Sequence, residues 1–108
     1  MAQVKTVTMS FPASASADVV SYKVYICDSG SDITAADGNG NYTATAYNIG
    51  NNTSVALNTI LGAVDGVFNL GVTAVDDAGN ESDMSVAPNI PLDFTVPATP
   101  GKIVIIQN

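Results

Sequence analysis

The apolar positions of this chain recur with a period of two, the spacing of strands that bury one face, and not with the wider spacing of an amphipathic helix. Val7, Met9 and Phe11 alternate with Thr8 and Ser10 and stop at Pro12, which predicts a first strand starting near Val4. Val20, Tyr22, Val24 and Ile26 alternate with Ser21, Lys23 and Tyr25, so a second strand has two partly apolar faces, as at the centre of a sheet. A third strand is expected over Tyr42–Tyr47, closed by a turn at residues 48–52, and a fourth at Val55 and Leu57 with its exit at Ile60. Phe68, Leu70, Val72 and Ala74 alternate without a break against Asn69, Gly71, Thr73 and Val75, the clearest strand of the chain. A sixth strand starts over Met84–Val86, is interrupted by Pro88 and Pro91, and resumes over Leu92–Val96; its prolines confine it to an edge or a bulge.

Turn formers separate these runs. The longest such stretch, residues 27–41, ends in Asp37-Gly38 and Asn39-Gly40, pairs that take positive φ readily and predict a tight turn. Residues 76–83 form another turn, and Pro97 to Gly101 read as a stiff linker. The chain then runs Lys102-Ile-Val-Ile-Ile-Gln107, apolar and of high β propensity. Short strands at regular spacing predict an all-β fold, a two-sheet antiparallel β-sandwich over residues 1–96, with 97–108 as linker and strand-like tail. The expected core is Met9, Phe11, Tyr22, Val24, Leu57, Phe68, Leu70, Val72 and Ala74.

The stretch Phe68-Asn-Leu-Gly-Val-Thr-Ala-Val-Asp-Asp-Ala-Gly-Asn-Glu-Ser82 resembles the sixth strand and following turn of a fibronectin type III domain, an immunoglobulin-like fold. Val7-Thr-Met-Ser-Phe-Pro12 is similar to that family's second strand, with Phe11 where a Trp is usual, and Val20-Ser-Tyr-Lys-Val-Tyr25 to its third. The resemblance spans roughly residues 4–96 and departs from the family twice. Phe68 replaces a tyrosine whose hydroxyl ties down the corner, so the loop before it is expected to lack an anchor. The family's first strand has no counterpart ahead of Val7. Its linker-plus-strand pattern stands instead at the other end, as Pro97-Ala-Thr-Pro100-Gly-Lys-Ile-Val-Ile-Ile106. A sheet lacking its first strand exposes a bare edge. Lys102, Ile103, Val104, Ile105, Ile106 and Gln107 are therefore the expected interaction residues, filling a first-strand position in the same chain or in a neighbour.

Charge narrows the partners. The chain of 108 residues is 46% hydrophobic and 12% charged, with a net charge of −7 carried against three lysines and no arginine. Such a chain cannot build a basic patch, which argues against nucleic acid and anionic membrane as partners. The first residues carry neither a long apolar run nor a cleavage pattern, so no signal segment or membrane span is read there. Cys27 is the single cysteine, which excludes an internal disulfide; it reads as a small buried hydrophobe.

Catalytic chemistry finds little to use. There is no histidine, hence no Ser-His-Asp or Cys-His arrangement and no His-bound metal. Asp76, Asp77, Asn80, Glu81 and Asp83 gather oxygen donors that suit Ca²⁺, although a solvated turn explains them more simply. Asp37-x-Asn39-x-Asn41 begins like a calcium loop but has Tyr42 and Asn48 where the glycine and the bidentate glutamate belong. The glycosylation triplets at Asn41, Asn51, Asn52 and Asn80 are what an Asn/Thr/Ser-rich chain gives by coincidence. Tyr25, Tyr42 and Tyr47 either expose aromatic faces to a sugar or partner, or pack across strands.

The expectation is a non-enzymatic structural or interaction domain without cofactors, whose partner is protein, either itself or another structural subunit. The setting this suits first is a virion, as a phage capsid, tail or decoration protein. The alternative is a spacer or carbohydrate-binding accessory domain of a bacterial surface or secreted protein.

Overall fold

The computed structural model describes residues 5–62, 64–98 and 100–107. Met1 to Val4, Ala63, Thr99 and Asn108 lie outside them, and with them the expected strand start near Val4 and parts of the linker and tail readings. The chain is mostly β and forms two antiparallel sheets. One pairs β1 (Thr8–Ser10) with β4 (Ser54–Ala56). The other has the order β3-β2-β5-β6, built from β2 (Val19–Asp28), β3 (Thr45–Gly50), β5 (Gly66–Asp76) and β6 (Ser85–Leu92).

The observed register keeps the period-two pattern in phase across the sheet. Val24 lies opposite Val72, Ile26 opposite Leu70 and Tyr22 opposite Ala74, so the apolar rows of β2 and β5 share one face. Val24, Ile26, Leu70 and Leu92 close around Leu57 and Phe94, with Met9 and Val55 of the smaller sheet packed against the cluster. Val24, Leu57 and Phe94 are almost wholly buried, each contributing about 1.5–3 kcal/mol of hydrophobic stabilisation. Of the expected core, Tyr22, Val24, Leu57, Leu70 and Val72 are buried, while Met9, Phe11, Phe68 and Ala74 are half-buried at its rim.

The structure revises several boundaries. The third strand is Thr45–Gly50, not Tyr42–Tyr47, and the expected turn at residues 48–52 begins as strand. A bulge reconciles the two: Tyr22 faces Gly50 and Lys23 faces Asn48, leaving Ile49 as the extra residue, half-buried against the core. Gly50 takes φ 69°, and the Asn48 side chain accepts its N–H at 2.8 Å. The fourth strand ends at Ala56, and Asn58–Leu61 is a single helical turn, α1, that brings Ile60 and Leu61 against the core. The sixth strand is continuous over Ser85–Leu92 despite both prolines, because it pairs on one side only and bulges at Pro88-Asn89, where Leu70 faces Ala87 and Phe68 faces Ile90. Asn89 takes φ 55°, a left-handed conformation that asparagine tolerates.

A second layer covers the outer face of the larger sheet. Tyr25, Asn69, Gly71 and Thr73 point away from the core yet are buried, because the segment after β2 folds back with Ile33 and Tyr42 over them and Met84 closes the other side. Gly71 leaves room for the Met84 side chain: a Cβ at that position would overlap Met84 Sδ and lie 2.7 Å from its Cγ, so Met84 would have to move.

Candidate functional site

Among the described residues, the smaller sheet has a free edge along β1. Val7 accepts the Leu57 N–H at 2.7 Å, Phe11 donates to the Thr53 carbonyl at 3.0 Å, and the Val7 N–H goes to Asn58 Oδ1 at 2.9 Å. The odd-numbered residues of this stretch thus spend their backbone groups on β4 and its flanking residues. Backbone groups alternate sides along a strand, so those of Thr6, Thr8 and Ser10 face the opposite edge, where no strand lies among the described residues. Asn58 supports the geometry by also donating to the Lys5 carbonyl at 2.7 Å, standing in for a strand partner beyond the end of β4.

Beyond that edge lies an apolar groove of about 260 Å³, lined by Met9, Phe11, Leu70, Val72, Val86 and Ala87. No residue of β2, β3 or β4 lines it, so it sits on the side of β1 away from its partner strand, between β1 and β6. Val86 is 39% exposed there. An extended segment laid along β1 would find unpaired backbone groups at its side and aliphatic side chains beneath it.

The tail does not occupy this place within the chain. Gly101 to Gln107 form no strand, and Ile103, Val104, Ile105 and Ile106 are between 76 and 84% exposed. Of the two ways of filling the first-strand position, pairing in the same chain is therefore not what the structure adopts. Four consecutive aliphatic residues are thus left uncovered in water.

The acidic turn after β5 is closed on itself. Asp76 accepts from the backbone of Ala78 at 3.0 Å and of Asn80 at 2.8 Å, and from Asn80 Nδ2 at 3.1 Å; these bonds hold its carboxyl below the usual range. Glu81 turns under the sheet instead, where Oε2 accepts from the Tyr25 hydroxyl and from Thr73 Oγ1 at 2.5 Å. Asp77 and Asp83 are exposed. Of the calcium candidates, Asp76 and Asn80 bond to each other while Glu81 turns away, and among the described residues no three His, Cys, Asp or Glu side chains converge as a metal site. Asp37 likewise closes its own loop, accepting from Asn39 and Asn41 N–H groups at 2.8 and 3.0 Å.

Tyr25 is not an exposed aromatic. It is buried, edge-on to Tyr42 with ring centroids 5.2 Å apart, and burial followed by the bond to Glu81 pushes its hydroxyl well above the usual tyrosine range. Cys27 is half-buried, bordering a larger, open depression of about 490 Å³ that also presents Asp28, Asp32 and Tyr47. The side chains lining it supply carboxylates and no cation.

The anchor expected to be missing before Phe68 is supplied by another residue. Asp65 accepts the Phe94 N–H at 2.7 Å and the Thr95 hydroxyl at 2.7 Å, tying the corner to the segment after β6. Sequence reasoning also passed over Asn69, whose Nδ2 donates to the Ser31 carbonyl at 2.8 Å while Oδ1 accepts from Asn89 at 2.9 Å. An asparagine alternating with aliphatic residues on a central strand was the available signal, since such a side chain must find partners once buried.

No family model matches the chain, and neither a curated protein nor a solved structure does.

Proposed function

We propose that this chain is a non-enzymatic assembly module, a β-sandwich of the fibronectin type III kind that joins to its neighbours through its C-terminal strand. The strand order supports this reading: among the described residues a β3-β2-β5-β6 sheet and a β1-β4 pair share one core, as such a sandwich would with its first-strand position unfilled. The observation that carries the function is the coexistence of an exposed aliphatic tail, Ile103 to Ile106, with a bare edge and apolar groove beside β1. Each is a liability in an isolated molecule, and strand addition removes both together. A structural or decoration subunit of a virus particle is the setting that suits such a module best.

The test is removal of the tail. The chain ending at Val96 keeps every contact of the core, so it should melt as the full chain does at low concentration. It should elute as a single-chain species where the full chain elutes as larger species. Equal elution of the two would refute the proposal and leave a spacer role as the better account.

A further inference from the structure

We infer that the tail pairs antiparallel with β1 of a second copy, so that copies join head to tail. This rests on the reading that the tail assembles the protein, and it adds a direction and a binding place.

The direction follows from the contacts at the two ends of β1. The Lys5 N–H donates to the Phe94 carbonyl at 2.7 Å, so the start of the β1 segment lies beside the end of β6. The groove brings Ser10, Phe11 and Pro12 beside Ser85, Val86 and Ala87, so the end of β1 lies beside the start of β6. β1 and β6 therefore run in opposite senses, and the tail leaves the molecule at the Lys5 pole, far from the groove's mouth. To reach its own groove it would have to reverse through Pro97 to Gly101 and run parallel to β1. Two prolines in that segment fix φ and remove N–H groups, which disfavours a tight reversal. The molecule measures 75 × 30 × 20 Å, whereas its longest strand of 11 residues spans only about 36 Å at strand rise. The excess length is consistent with a tail that stands away from the sheets.

A tail arriving from another copy meets no such obstacle. Entering at the Pro12 pole and running toward Lys5, it lies antiparallel to β1 and offers its backbone to Thr6, Thr8 and Ser10. Alternate aliphatic residues then cover Met9 and Phe11 while the others face outward. Lys102 arrives first, at the pole where exposed Asp83 adjoins Pro12 and Ser85. The reverse direction would set Lys102 beside Lys5, which Asp93 already pairs at 3.6 Å. The donor segment leaves at one pole and enters the acceptor edge of another copy at the other, so the contact is head to tail.

Disulfide trapping tests this in the full chain. With Cys27→Ser as background, Ser10→Cys is combined with Ile103→Cys or with Val104→Cys, and Thr6→Cys with the same partners. All these side chains except that of Cys27 are exposed, and unchanged circular dichroism confirms folding. Oxidation should convert at least one Ser10 pair into a covalent ladder on a non-reducing gel, with several-fold less product from the Thr6 pairs. A covalent single chain would mean pairing within the molecule, and a ladder favouring Thr6 would mean the parallel direction; either overturns the inference. Absence of any ladder in a chain whose assembly still depends on the tail also overturns it, while leaving tail-driven assembly intact.

Discussion

The Lys5 N–H donates to the Phe94 carbonyl, and Phe94 in turn donates its own N–H to Asp65, so three distant parts of the chain meet at one pole. This knot fixes where the tail begins and holds Phe94 in the core. Asp65→Ala should therefore lower the melting temperature and increase amide exchange at Phe94 more than at the centre of β5. Exchange measured by NMR on the two proteins checks it; equal protection of Phe94 in both would contradict the role given to Asp65.

Four aspartates give the fold a common acid limit. Backbone and side-chain hydrogen bonds hold Asp32, Asp37, Asp65 and Asp76 below their ordinary range. A carboxylate depressed in the folded state stabilises above its unfolded pKa, about 3.9, and loses that contribution as pH falls through the folded value. Tyr25 acts in the opposite sense: raised in the folded state, its contribution is complete below about pH 10 and lost above it. Urea midpoints should change little between about pH 5 and 9 and fall on both sides. A midpoint that rises as the pH is lowered from about 4 to about 2 would contradict this.

Gly71→Ala should destabilise by about 1–3 kcal/mol, the usual cost of overfilling a packed site. The added methyl collides with Met84, so Gly71→Ala combined with Met84→Ala should cost less than the sum of the two single changes. Strict additivity in denaturant melts would show that Met84 does not fill the space over Gly71.

Asn69→Ala should cost about 1–3 kcal/mol, because it leaves the Asn89 N–H and the Ser31 carbonyl without their partner. Its effect should centre on β6 and the segment after β2, and hydrogen exchange resolved by residue distinguishes this from global loosening.

The two central strands, β2 and β5, were legible because their residues follow the period of two, whereas the pairing of Val24 with Val72 is set by the fold and not by that pattern alone. What escaped the pattern were places where one residue is added or a polar side chain replaces backbone pairing. Ile49 is an extra residue whose burial depends on a bulge, so residues 48–50 read as a turn. Asn58, Asp65 and Asn69 each bond to segments far along the chain, a relation that spacing does not encode. Ile33, alone in a polar stretch, gave no periodic signal, yet it covers the outer face of the sheet. The tail reads as a strand in sequence, yet Gly101 to Gln107 form none in the folded chain, and the direction proposed for it rests on the antiparallel relation of β1 and β6.

Sedimentation velocity of the full chain over a hundredfold concentration range, beside the Ile103→Asp, Ile105→Asp variant, tests the central claim most directly. Tail-driven assembly predicts a progression of larger species that grows with concentration in the native chain, and a single chain-mass species throughout in the variant. One species of single-chain mass for the native protein at every concentration would contradict it, as would identical assembly by the variant.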